Sequence, residues 1–183
     1  METGKRARPR VSRRDWVEAA YQELIRSGEP GIGINALAAR LGVTKGSFYW
    51  HFRDRSELLR ALLDRWAHER TDEVLGLAFG TTPDPRERLR RIQALGAEVA
   101  PLDRAMRLWA QHDPAAAEAV RHADRAMLAH ITACLTGLAV PDAPLRALLM
   151  LRAWVGGYLV PAPDGVPAAD PDDLLDFFLR NGE

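Results

Sequence analysis

The sequence predicts an all-α protein on three observations. Ala, Leu and Arg dominate its 183 residues, and alternating runs of β-branched residues are absent. None of the 12 prolines falls between Gly31 and Thr82, and the rest cluster at apparent boundaries. Apolar residues recur at i, i+3, i+4 and i+7 in one segment after another. With 47% apolar residues the chain has material for a buried core, and disorder is expected only over the first dozen positions.

The first helix is expected over Arg13–Ser27. Ser12 is its N-cap, Asp15 sits in the capping-box position, and Trp16, Ala20 and Leu24 share one face before Gly28 and Pro30 end it. Ile34, Leu37, Ala38 and Leu41 mark a second helix, which Gly42 turns sharply. A third spans about Lys45 to His51, with Thr44 as N-cap and Val43 stapled onto Phe48. The fourth begins after Asp54, pairs that cap with Glu57, and carries Leu58, Leu59, Leu62, Leu63 and Trp66 toward Phe79. The loop Gly80 to Pro85 breaks the pattern. Further helices are expected at 86–99, 102–111, 115–137, 144–159 and 172–181, with a Pro-rich link over 160–171 before the last.

Charge is unevenly distributed. The chain is formally neutral, yet residues 1–70 carry a net charge of +5 and residues 71–183 a net of −5. Six basic residues stand in the first 14 positions, against one acid. Such a split suits a basic module that meets a polyanion, joined to an acidic module with another task. One cysteine, Cys134, excludes a disulfide framework and a cysteine-based zinc site. No apolar run is long enough for a membrane span, and the basic N-terminus lacks the apolar stretch of a secretory signal. A cytoplasmic location is therefore expected.

Residues 34–52, INALAARLGVTKGSFYWHF, form a helix-turn-helix pattern. Its second helix buries Val43, Phe48 and Phe52 and turns Lys45, Ser47, Tyr49, Trp50 and His51 outward. That face is rich in hydrogen-bond donors and nearly free of acids, as a phosphate-facing surface requires. Gly46 keeps the helix start unobstructed, so that backbone and dipole can approach a duplex.

The pattern follows an alanine-rich helix with Ala19–Ala20. It combines Leu37–Ala38, Gly42–Val43, Tyr49–Trp50–His51–Phe52, Arg55, Glu57 and Leu58–Leu59. In these features, across residues 12–66, the chain resembles the TetR family of one-component transcriptional regulators. Gly33 replaces the threonine that often opens the second helix, and Arg55 stands where lysine is common. The resemblance implies that Thr44, Lys45, Ser47 and Trp50 lie at or near base edges and flanking phosphates. It implies that Tyr49 and His51 bond the DNA backbone, and that Arg55 pins another phosphate. Gly46 belongs to the same DNA-binding set. The implied division is a flexible basic arm over 1–11, a helix-turn-helix domain over 12–53, and a regulatory and dimerisation domain over 54–183 with helix 4 as connector.

Residues 86–183 contain no motif of comparable force. The resemblance implies a dimerising helical bundle with a ligand cavity. The last two helices would meet a partner copy through Leu145, Leu148, Leu149, Val155, Gly156 and Leu159, then Leu174, Leu175, Phe177 and Phe178. For the cavity, the large, adaptable or aromatic candidates are Met106, Trp109, Met127, Ile131, Cys134, Met150, Trp154 and Tyr158, with Trp109 foremost. Each of these also suits an ordinary core position. His122 and His130 lie about 12 Å apart along a helix, too far to share one ion with Asp124. No metal or cofactor is expected. A Ser/His/Asp set, paired catalytic carboxylates and a glycine-rich phosphate loop are all lacking, so the chain is not expected to be an enzyme. The function these features suggest is a homodimeric repressor, released from a palindromic double-stranded DNA operator by an unidentified small molecule. A ligand-independent architectural or partner-recruiting DNA-binding protein is the alternative, its second bundle serving only to dimerise.

Overall fold

The computed structural model describes residues 11–73, 76, 82–160, 163–165 and 170–180. The described residues are helical, with no strand among them. The expectations for the basic arm over 1–10, for the end of the fourth helix near Phe79, and for parts of the 80–85 and 160–171 segments lie outside them. The chain divides into two compact units, Met1–Leu62 and Leu63–Glu183, so the division falls inside the fourth helix.

The first unit holds α1 (Arg13–Ser27), a 3-10 turn at Glu29–Gly31, α2 (Ile34–Leu41), α3 (Lys45–Tyr49) and the start of α4 (Arg55–His68). Local chemistry sets each boundary. The Ser12 hydroxyl accepts from the Asp15 N–H, and the Asp15 carboxylate accepts from the Ser12 N–H at 2.7 Å, completing the capping box. Gly42 takes the left-handed conformation at φ 67°, which a side chain would strain, and its turn redirects the chain into α3. At the start of α4, Asp54 accepts from the Glu57 N–H and Glu57 from the Arg53 N–H, both at 2.8 Å.

The unit's core is aromatic. Phe48 is fully buried, edge-on to Trp16 and stacked on Phe52, each at 5.3 Å between ring centroids. Arg13 covers the outer face of Phe52 at 4.6 Å. Val43 is only half-buried, which corrects the expectation that it belongs to this core; it lies in the turn rather than on the inward face of α3. Thr44 holds the N-cap position of α3 but makes no side-chain cap bond, and α3 ends at Tyr49 rather than His51.

The second unit opens with the rest of α4 and a π-helical turn at Glu69–Glu73. It continues with α5 (Pro85–Glu98), α6 (Ala100–Trp109), α7 (Pro114–Gly137), α8 (Ala143–Leu159) and α9 (Pro171–Leu179). These helices begin one or two residues earlier than the sequence suggested. Each admits its proline in the first turn, where the missing N–H has no helical partner to lose. Asp84, Asp113 and Asp170 cap the helices that follow them. The main core gathers Leu89 and Ile92 of α5, Ile131 and Leu135 of α7, Ala147 and Met150 of α8, and Leu175 and Phe178 of α9. Arg146 of α8 donates to the carbonyls of Phe178 and Arg180, satisfying the end of α9.

Candidate functional site

The turn and α3 present a continuous polar and aromatic face. Thr44, Lys45 and Gly46 are exposed, Ser47 and His51 half-buried. Tyr49 is 53% exposed and Trp50 88%, the largest exposure of any big apolar side chain described. Burying Phe48 and Phe52 on the opposite side dictates this outcome, because adjacent helical positions cannot share one face. An indole left in water is unfavourable for the free chain, and a surface that covers it removes that cost.

Arg55 is placed differently from what the resemblance implied. Its guanidinium turns back onto the loop between α1 and α2. There Nε donates to the Ile32 carbonyl at 2.7 Å, and one terminal nitrogen donates to the Glu29 carbonyl at 2.9 Å and to the Glu29 carboxylate at 2.5 Å. These carbonyls lie where α4 begins, and a planar guanidinium bridges them readily. Arg55 thus clamps the loop in the free chain. A second brace is the buried Glu23, which accepts from Arg26 at 2.6 Å and lies 3.7 Å from Arg40 of α2. The Arg26 hydrogen bond, then that from Ser27, holds its carboxyl below the usual range.

In the second unit a cavity of about 660 Å³ opens among α5, α7, α8 and α9, within the roughly 300–1,000 Å³ usual for small-molecule sites. Of the eight residues expected to line it, Met127, Trp154 and Tyr158 do. Met106, Trp109, Ile131, Cys134 and Met150 do not. They are buried among helix faces, between 0 and 2% exposed, and serve as core. Alternate faces of α7 are packed by different helices, so apolar content alone did not distinguish core from lining. Arg70, Arg90 and Gln93 also line the cavity, and sequence reasoning missed them.

Beside this cavity lies a buried charge network. Asp103 of α6 is 1% exposed. Its Oδ2 accepts from Arg107 Nε at 2.8 Å and from the Tyr158 hydroxyl, while Arg70 Nε stands 3.3 Å from its Oδ1. Arg107 also forks onto Asp124 at 2.6 and 2.9 Å. Burial, then the Asp103 charge, pushes the Tyr158 phenol above its ordinary value, so it stays a donor. Burial acts to lower Arg107, but its bonds and charges from Asp124 and Asp103 outweigh that and raise it. Asp124 is therefore engaged by Arg107, and among the described residues no three His, Cys, Asp or Glu side chains gather as metal ligands.

Comparison with known proteins decides the family. Residues 17–62 match the model for bacterial regulatory proteins of the tetR family. The helix-turn-helix region is therefore of the TetR family. A transcriptional regulator from Rhodococcus sp. Rha1 matches at 26% identity over 92% of this chain and 94% of its own, with a TM-score of 0.66. The HTH-type transcriptional regulator TtgR of Pseudomonas putida is 38% identical over 58 residues, 32% of this chain and 27% of TtgR. TtgW, an uncharacterized regulator of the same organism, is 32% identical over 62 residues, 34% of this chain and 46% of TtgW. The chain thus spans less than half the length of these curated relatives. A structure of AibR in complex with isovaleryl coenzyme A and operator DNA has the same fold, at 19% identity over 91% of this chain and 95% of that one, TM-score 0.66.

The apolar face that the TetR resemblance implied for dimerisation is only partly exposed. Leu145, Leu149 and Phe177 are exposed, and Leu148, Val155, Gly156, Leu159 and Leu174 are half-buried. Leu175 and Phe178 face inward, a correction to their expected role, because the third- and fourth-residue spacing of α9 commits them to the core of their own chain. No helix among the described residues is long and apolar enough to cross a membrane.

Proposed function

We propose that this chain is a transcriptional repressor that binds a palindromic operator as a homodimer and is released by a small molecule held in its second unit. The observation that carries the reading is the exposed face of Thr44, Lys45, Tyr49 and Trp50 on the helix-turn-helix of a TetR-family module. Lys45 and Ser47 would contact phosphates and base edges, Tyr49 and His51 the DNA backbone, and Trp50 would pack into the major groove. One copy offers few contacts, and a two-fold pair doubles them across two half-sites. Leu145, Leu149 and Phe177 are the exposed apolar groups that support pairing through α8 and α9. AibR, of the same fold, has been captured with both an acyl coenzyme A and operator DNA. Effector and operator would then weaken each other's binding by the same factor.

The cavity favours this reading over a ligand-independent architectural protein, for which a closed bundle would suffice. Selection of genomic fragments by the purified chain at ~150 mM salt, where nonspecific binding is weak, tests the proposal. An enriched palindrome supports it. No enrichment, with and without compounds that occupy the cavity, overturns it.

A further inference from the structure

The lining of the second unit's cavity has one feature that its apolar character does not explain. Arg70, whose side chain is 9% exposed, lines the cavity from the π-helical turn that follows α4. Its described polar neighbour is Asp103, at 3.3 Å, and neither Arg70 Nε nor Asp103 Oδ1 completes a hydrogen bond. That separation is longer than the ~2.7–2.9 Å of a well-formed charged hydrogen bond. A guanidinium carries about five N–H donors, and a buried one without aligned acceptors is costly.

Asp103 depends on Arg70 less than Arg70 depends on Asp103. Its other oxygen already accepts from Arg107 and Tyr158. Arg90, the other guanidinium of the lining, contrasts with Arg70. It is 44% exposed and bonded to Asp172 at 2.7 Å and Glu87 at 3.2 Å, so its charge is matched at the surface. The indole N–H of Trp154, a cavity residue, is likewise buried without a partner. The lining therefore combines apolar walls with donors that lack acceptors.

We propose that the cavity takes a small amphipathic carboxylic acid, with its carboxylate on the Arg70 guanidinium and its apolar body against Ile92, Met127, Leu151 and Trp154. This deepens, and rests on, the effector reading above. A carboxylate offers the planar pair of acceptors that a guanidinium fork matches, so Arg70 exchanges a poorly aligned partner for a bidentate one. Asp103 keeps Arg107 and Tyr158 through the exchange. A cationic ligand would meet Arg70 as a like charge, and a neutral amide would offer one carbonyl oxygen in place of two.

Calorimetric titration of the full chain with matched pairs, octanoate against octanamide and 4-phenylbutyrate against 4-phenylbutyramide, tests the proposal. At pH 7 the acid of at least one pair is expected to bind about tenfold more tightly than its amide, near 1.4 kcal/mol. In R70M that ratio should fall below about threefold, and R70K, which keeps the charge without the fork, should lie between. Equal affinities within both pairs, or no binding of either acid at millimolar concentration, overturn the proposal. So does an acid preference that persists in both variants. Should R70M not fold, the wild-type ratio and R70K still decide. The regulator reading fails separately, if the selected DNA stays bound while the cavity is occupied.

Discussion

The inward turn of Arg55 makes a prediction that separates a structural clamp from a DNA contact. In R55A the carbonyls of Ile32 and Glu29 lose their donors, and the Glu29 carboxylate loses its cation. A hydrogen bond to a charged group contributes about 1.5–3 kcal/mol when buried. With the Arg55 side chain 38% exposed, water replaces part of that, and the Glu29 pair itself adds no more than about 1 kcal/mol. The whole clamp should therefore be worth roughly 2–3 kcal/mol to the first unit. For a unit this small, with m near 1 kcal/mol/M, the urea midpoint should fall by more than about 1 M. R55K should recover part of the loss, since an ammonium cannot span both carbonyls in one plane. Anisotropy titrations of the selected DNA fragment over a range of salt provide the second readout, run where R55A is folded. A clamp leaves the salt slope intact, whereas a phosphate contact contributes about 0.9 to it. An unchanged urea midpoint together with a slope reduced by about one would refute the clamp.

Lys45→Ala should behave in the opposite way, leaving the urea midpoint in place and lowering the salt slope by about one unit, as anisotropy would show. Trp109→Ala should act on folding rather than on ligand response: the side chain is 2% exposed and outside the cavity lining, and its loss should cost about 3–5 kcal/mol in chemical denaturation. The Glu23 carboxyl has a folded pKa depressed first by the Arg26 hydrogen bond. Its stabilising effect is present above the ordinary carboxylate range and is lost as pH falls through the folded value. E23Q should accordingly be less stable than wild type at pH 7 and lose less stability on acidification toward pH ~3, measured by urea unfolding across pH; parallel acid limbs would contradict this.

The first unit was legible because its determinants are close together in the chain. Ser12 and Asp15 are three residues apart and make the cap themselves, and Gly42 supplies the φ of 67° that ends α2. Trp16, Phe48 and Phe52 announced their burial by periodicity, and the exposure of Tyr49 and Trp50 followed from theirs. The inward bonds of Arg55 were not legible because its partners include carbonyls 23 and 26 residues earlier, and a backbone oxygen leaves no mark in a sequence.

The second unit reversed that balance. Its helices were visible from the placement of prolines and from apolar spacing, since helix breaking and amphipathicity are properties of a few neighbouring residues. Which apolar side chains fill the core and which line the cavity was decided by how α5, α7, α8 and α9 pack. Ile131 and Met150 are fully buried in the core, whereas Trp154 and Tyr158 border the gap. Arg70, Asp103 and Tyr158 meet from three separate helical segments. By itself, then, the sequence determined the helical elements, the aromatic core of the helix-turn-helix and its outward polar face, because local geometry and solvent dictate all three. Only the tertiary structure decided the clamp, the cavity lining and the buried charge network, because their energies depend on groups that the chain brings together after its helices have formed.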